Sequence, residues 1–190
     1  VESLQKQRKI SSTFSNIDDF LRSIDIHVSV THLNKKNATR IEQMFQKTNQ
    51  FNLTTRRHRL KDLRGIVERG GKVLAFSYED SFGSQGIVAS AVLVHESETW
   101  HIESLLMSCR VLNRTVEQAV MDYVFRNCPG KKIIGEYRPT NKNAMVRDFY
   151  EHLGFTRETG GDDEDSTFWV FDPKTCRPVE IKHFIALLDG

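Results

Sequence analysis

Thr99-Trp100-His101-Ile102-Glu103-Ser104-Leu105-Leu106-Met107-Ser108-Cys109-Arg110-Val111-Leu112-Asn113-Arg114-Thr115-Val116-Glu117-Gln118-Ala119-Val120 reads as a strand that turns into a helix. Trp100, Ile102, Ser104 and Leu106 alternate with His101, Glu103, Leu105 and Met107, and both sets are largely apolar. Such a strand belongs in the middle of a sheet with a layer on each side. From Val116 the period lengthens, and Val116, Ala119, Val120, Tyr123 and Val124 form one helical stripe. Between the two lies a polar turn, Cys109 to Thr115, whose backbone N–H groups point out of a helix N-terminus. That is an anion site, to which Arg110 and Arg114 add positive charge.

Working outward, Gly86 to His95 is a second strand apolar on both faces, joined to the first by His95-Glu96-Ser97-Glu98 in an antiparallel hairpin. Lys72 to Glu79 is a strand before it. Further upstream, Ser15 to Asp19 caps a short helix, Ile26 to Val30 is a strand, and Asn37 to Lys47 and Leu60 to Arg69 are helices. Between those helices, Lys47 to Arg57 is either a solvated loop pinned by Phe51 and Leu53 or a lid facing an acceptor. Downstream, Lys132 to Arg138 is a strand, and Thr140 to Asn143 caps a helix with Val146, Phe149, Tyr150 and Leu153 inward. An acidic turn, Gly160 to Asp165, precedes the strand Thr167 to Phe171. The expected division is a linker from a possible upstream domain at 1–15, one domain at 16–172, and a C-terminal amphipathic helix at 173–190 packed on it. This order implies an α+β fold with a mixed central sheet and helices on both faces.

At 190 residues with a net charge of +2, the chain is sized for one domain and carries no global field for nucleic acid or an anionic membrane. It has no apolar run of membrane-spanning length and no signal-peptide pattern, so the expected compartment is the cytoplasm. Cys109, Cys128 and Cys176 are scattered and odd in number, which suits a reducing environment and suggests neither a disulfide framework nor a zinc pair. His95, Glu96, Glu98 and His101 lack the spacing of a metal site. The start at Val1 with a polar lead-in suggests a piece of something longer.

The order of elements, the anion-receptive turn and the Asp148-Phe149-Tyr150-Glu151-His152-Leu153-Gly154-Phe155 ending resemble the GNAT acyltransferase fold. More narrowly, Lys47-Thr48-Asn49-Gln50-Phe51-Asn52-Leu53-Thr54-Thr55-Arg56-Arg57, Phe82-Gly83, Ser108-Cys109-Arg110-Val111-Leu112 and Tyr137-Arg138-Pro139-Thr140-Asn141-Lys142-Asn143 resemble the C-terminal half of FkbH-like proteins. The likeness runs from about Asp18 to Phe155. Such proteins pair a haloacid-dehalogenase-like domain with a GNAT-like domain and supply glyceryl groups to acyl carrier proteins for methoxymalonyl polyketide extender units. The resemblance therefore implies an acyl carrier protein and a haloacid-dehalogenase-like domain as partners. The cofactor it implies is acyl-CoA or the phosphopantetheine of the carrier.

In GNAT enzymes the pantetheine arm lies where two central strands splay apart, and a turn patterned Gln/Arg-x-x-Gly-x-Gly/Ala holds the pyrophosphate. The resemblance assigns Met107, Cys109, Arg110, Val111, Asn113, Arg114, Thr115 and Asn143 to the cofactor, with Asn113 and Thr115 where the pattern has glycine. A single phosphate on a carrier arm demands less of that turn than a pyrophosphate. Tyr150 matches the acid that protonates the leaving thiolate, or is a core tyrosine. Glu103 stands where a general base would, or is a salt-bridged carboxylate. Asn143 equally reads as a helix cap. A backbone N–H near Leu106 to Ser108 would stabilise the oxyanion. The alternative function is a non-catalytic carrier-binding module serving the partner domain.

Overall fold

The computed structural model describes residues 16–159, 165–176 and 180–190. The expected linker at 1–15 and most of the acidic turn lie outside them. Along the chain run α1 (Ile17–Ser23), β1 (Ile26–His32), α2 (Ala38–Lys47), β2 (Phe51–Asn52), α3 (Leu60–Glu68), β3 (Lys72–Asp80), β4 (Gly83–Glu96) and β5 (Thr99–Met107). Then come α4 (Val116–Asn127), β6 (Lys132–Tyr137), α5 (Phe149–His152), β7 (Thr156–Arg157), β8 (Thr167–Phe171) and β9 (Ile185–Asp189). The strands form one mixed sheet in the order β7-β8-β6-β5-β4-β3-β1-β9, with β2 beside the far end of β5. Neighbours are antiparallel except β5 with β6 and β1 with β9.

Strand alternation divides the core in two. Val73, Ala75, Val92 and Leu106 pack under α2 and α3 with Ile41, Phe45 and Leu63. Their sequence neighbours Leu74, Phe76, Leu93 and Leu105 point the other way, beneath α4 and α5 with Val116, Val120 and Tyr150. Of the α4 stripe read from the sequence, Val116, Ala119, Val120 and Val124 are buried and Tyr123 is half-buried. No helix among the described residues is long and apolar enough to cross a membrane.

Two expectations fail at the C-terminal side. The helix expected at 173–190 is absent from the described part: 181–184 is irregular and Ile185–Asp189 is β9, paired with β1 from Ile26↔Ile185 to Val30↔Asp189. The free edge of β1 satisfies that backbone, and over five residues an apolar pattern does not separate helix from strand. The helix expected after Thr140 is broken into a 3-10 turn, Ala144–Val146, and the single turn of α5. Asn143, at the head of the 3-10 turn, points its side chain inward and makes no cap bond.

Candidate functional site

β5 and β6 pair only from Thr99↔Lys132 to Ile102↔Gly135, although β5 continues to Met107 and β6 to Tyr137. Beyond Ile102 the two strands diverge. The β4 register shifts there, pairing Val92 with Ser104 and Leu93 with Ile102, so Glu103 is a bulge residue. The resulting gap is filled by the chain itself. Phe51 and Asn52 pair with Met107 and Leu106, and the Leu53 N–H donates to the Leu105 carbonyl at 3.0 Å. On the other side the Arg138 N–H donates to the Leu53 carbonyl at 2.9 Å. Asn143, with 0 % of its surface exposed, donates to the carbonyls of Asn52 and Arg138, both at 2.9 Å, and accepts from the Thr140 N–H at 2.7 Å. The segment read as a loop or lid is thus a strand wedged between β5 and β6. Its Phe51-x-Leu53 alternation was the sequence signal for this.

Behind the wedge lies a polar network. Thr54 Oγ1 donates to the Glu103 carbonyl at 3.0 Å and lies 3.1 Å from Ser104 Oγ. Arg56 donates to the same carbonyl at 2.8 Å and pairs with Glu136 at 2.7 Å. Ser166 donates to Glu136 at 2.8 Å, and Arg138 reaches Ser166 at 3.3 Å. His58 Nε2 stands 3.5 Å from Glu103 Oε1, beside a cavity of about 720 Å³ next to α3. The same Nε2 lies 3.4 Å from Ser104 Oγ, so the imidazole sits between a carboxylate and a hydroxyl. Arg56 entered the sequence reading only as part of the Lys47 to Arg57 stretch, and His58 not at all; a lone histidine in a polar run carries no signal, and its partner lies far along the chain.

Burial lowers the His58 pKa from its ordinary value, the Glu103 and Asp62 carboxylates raise it and Arg56 lowers it further. As pH falls, the unfolded chain therefore takes up this proton before the folded one. The stability from neutral His58 is complete above about pH 6.5 and is lost as pH drops through the lower folded value, with a slope of at most about 1.4 kcal/mol per pH unit. Denaturant unfolding at a series of pH values below about 6.5 should show that slope in the parent chain and a shallower one in His58→Gln. Equal slopes would place the acid sensitivity elsewhere.

The turn after β5 takes left-handed backbone twice without a glycine. Asn113 and Thr115 both adopt left-handed backbone, φ 62° and 58°. A β-branched residue pays for this conformation, and Arg114 between them shows how it is held. Its guanidinium turns inward to Asp80 and the Tyr78 hydroxyl, both at 2.8 Å, while Tyr78 donates to Asp80 at 2.7 Å. Arg114 is therefore not available to a phosphate. Arg110 is exposed, its Nε on Ser108 Oγ at 3.2 Å, Cys109 is exposed, and Val111 is core. Met107 is buried and contributes only its cavity-facing edge. The N–H expected to hold an oxyanion is consumed at Ser108, which donates to the Val88 carbonyl at 2.7 Å.

Tyr150 is fully buried against Gly135, where an added Cβ would lie 2.3 Å from its ring. Its hydroxyl has no hydrogen-bond partner among the described residues. Burial pushes the phenol far above its ordinary pKa, and the Glu136 carboxylate adds to the effect. Neither Tyr150 nor Asn143 faces an open cavity at the gap. A pantetheine arm does not fit between β5 and β6 as they stand, because Phe51 to Leu53 occupies the line it would take and uses the backbone groups it would meet.

These features define a GNAT fold: a strand–turn–helix beside two parallel strands that part, here bridged from within. Solved structures with this fold include a GNAT-family acetyltransferase from Staphylococcus aureus Mu50, with TM-score 0.57 and 14% identity over 75% of this chain and 97% of that one. The ribosomal-protein-S18-alanine N-acetyltransferase of Escherichia coli gives 0.56 and 15% over 76% and 92%. A phosphinothricin acetyltransferase from Sinorhizobium meliloti, in complex with AcCoA, gives 0.54 and 11% over 80% and 94%. No protein-family model and no curated protein matches the chain.

Proposed function

We propose that this is the GNAT-like domain of an FkbH-type protein. In this reading it holds the pantetheine arm of an acyl carrier protein for a haloacid-dehalogenase-like partner domain, in making glyceryl or methoxymalonyl extender units for polyketides. The observation that carries it is the wedge: Phe51 to Leu53 hydrogen-bonds to β5 on one side and Arg138 on the other, closing the route of a thioester through the sheet. The Asn-Gln-Phe-Asn-Leu-Thr-Thr-Arg-Arg string that carries the FkbH resemblance is the string that builds this wedge. The buried Tyr150 phenol and the committed Ser108 N–H agree with a binding role.

Acyl transfer from a pantetheine thioester is the second reading, and the His58–Glu103 pair beside an open cavity favours it. One experiment separates them. The domain is titrated with a carrier protein bearing phosphopantetheine, the same carrier without it, and acetyl-CoA, and acyl transfer is followed with each. The binding reading expects retention of the modified carrier alone and no turnover. Turnover of acetyl-CoA that falls at least about tenfold in His58→Gln would establish the enzyme instead.

A further inference from the structure

We propose that the open cavity beside α2, about 710 Å³, receives the phosphate ester of a pantetheine arm on Arg40, Lys47 and Lys142. This rests on the reading of the domain as a pantetheine-handling module, and it places the arm on the sheet face that carries α2 and α3, not the face of α4 and α5.

Charge is the first argument. The cavity is lined by those three cations and by no carboxylate. None of the three makes an ion pair among the described residues. Four other cavities among the described residues each hold at least one acid. The one of about 440 Å³ between α4 and α5 holds Glu117, Asp148 and Glu180 beside His152 and Lys182, so it has no such excess of positive charge. Unpaired cations gathered around a volume free of acids are the complement of a phosphate.

The second argument is the fit of the rest of the arm. Gln43, Gln50 and Asn141 line the same cavity and offer both donors and acceptors to the arm's two amides, over a floor that includes Met44 and Met107. The size lies within the range of small-molecule sites. The third argument is position. The cavity borders Met107, Ser108 and Cys109, where β5 gives way to the turn, and Phe51 of the wedge also lines it, so an arm lying in it reaches the C-terminal end of β5 along the outside of the wedge. Arg114, which would have served the opposite face, is committed to Asp80.

The test is calorimetric titration of 4′-phosphopantetheine and of pantetheine into the chain at low salt, repeated with Lys47→Glu/Lys142→Glu and with the milder Lys47→Gln/Lys142→Gln. Thermal melts confirm that the variants fold, since both lysines are exposed. The expected result is at least about a tenfold preference for the phosphorylated compound, shrinking with added salt and absent in both variants. Equal affinity for the two compounds, a preference that survives in the variants, or no binding of either at millimolar concentration overturns the proposal. Coenzyme A bound with the same lysine dependence identifies the free cofactor as the source of the arm; binding of the modified carrier with that dependence identifies the carrier. If the carrier is not retained but the lysine-dependent phosphate preference is seen, the carrier reading falls and the site stands. Carrier retention that the lysine variants leave unchanged removes the site and spares the reading.

Discussion

Asp80→Ala is expected to cost about 3–5 kcal/mol of folding stability, a cost large enough to unfold much of the population near body temperature. The Asp80 side chain is 1% exposed and Arg114 17%, so truncation strands a guanidinium in a site with little water. It also removes the acceptor of the Tyr78 hydroxyl and of the Phe82 N–H, at 2.7 and 2.9 Å. The effect reaches the turn, because the Arg114 anchor holds Asn113 and Thr115 in left-handed conformations that a β-branched residue disfavours by roughly 1–2 kcal/mol. Arg114→Ala should be less costly than Asp80→Ala but should loosen the turn more, since the strained residues lose their tether. Denaturant unfolding of both variants, with amide exchange along 108–116, checks this. A loss below about 1 kcal/mol for Asp80→Ala would mean that the turn is held by its packing alone.

How much of this was legible beforehand differs by element. The strand–turn–helix from Thr99 was legible because its period changes from two to 3.6 inside one continuous stretch. Its flanking helices and the hairpin were legible for similar reasons, and so was the mixed sheet. The C-terminal strand was not, because its place depends on the open edge of β1, far away in sequence. The same holds for the site. Asn113 and Thr115 looked like departures from a glycine pattern, yet the backbone keeps the glycine conformation through a side chain, Arg114, whose partner lies 34 positions earlier. Arg114 and Arg110 look alike in sequence, and only the fold tells the buried one from the exposed one. Tyr150 belonged to an apolar stripe and to a family motif at once; its contact with Gly135 is the packing that the stripe implied.

Asn143→Ala is expected to lower stability by about 3 kcal/mol and to act first on β2. The side chain donates to the carbonyls of Asn52 and Arg138 and accepts from the Thr140 N–H and hydroxyl, all within 3.1 Å. With Asn143 wholly buried, water does not replace these partners, and each stranded backbone group costs about 1–3 kcal/mol, discounted here because the groups are neighbours and relax together. The wedge has only two residues in regular pairing, so it lacks the length to hold itself against β5 once the latch is gone. Amide exchange should therefore quicken at Leu53 and Arg138, whose N–H groups bond to the Leu105 and Leu53 carbonyls, before it quickens in β4 or α4. Asn143→Asp gives the sharper control. It keeps the acceptor for Thr140 but sets a carboxylate against two carbonyl oxygens, so it should be at least as damaging at neutral pH and should recover partly in acid, where the protonated form restores one donor. If Asn143→Ala instead unfolded the whole chain with no faster local exchange, β2 would be an integral strand of the core, not a separable wedge between β5 and β6.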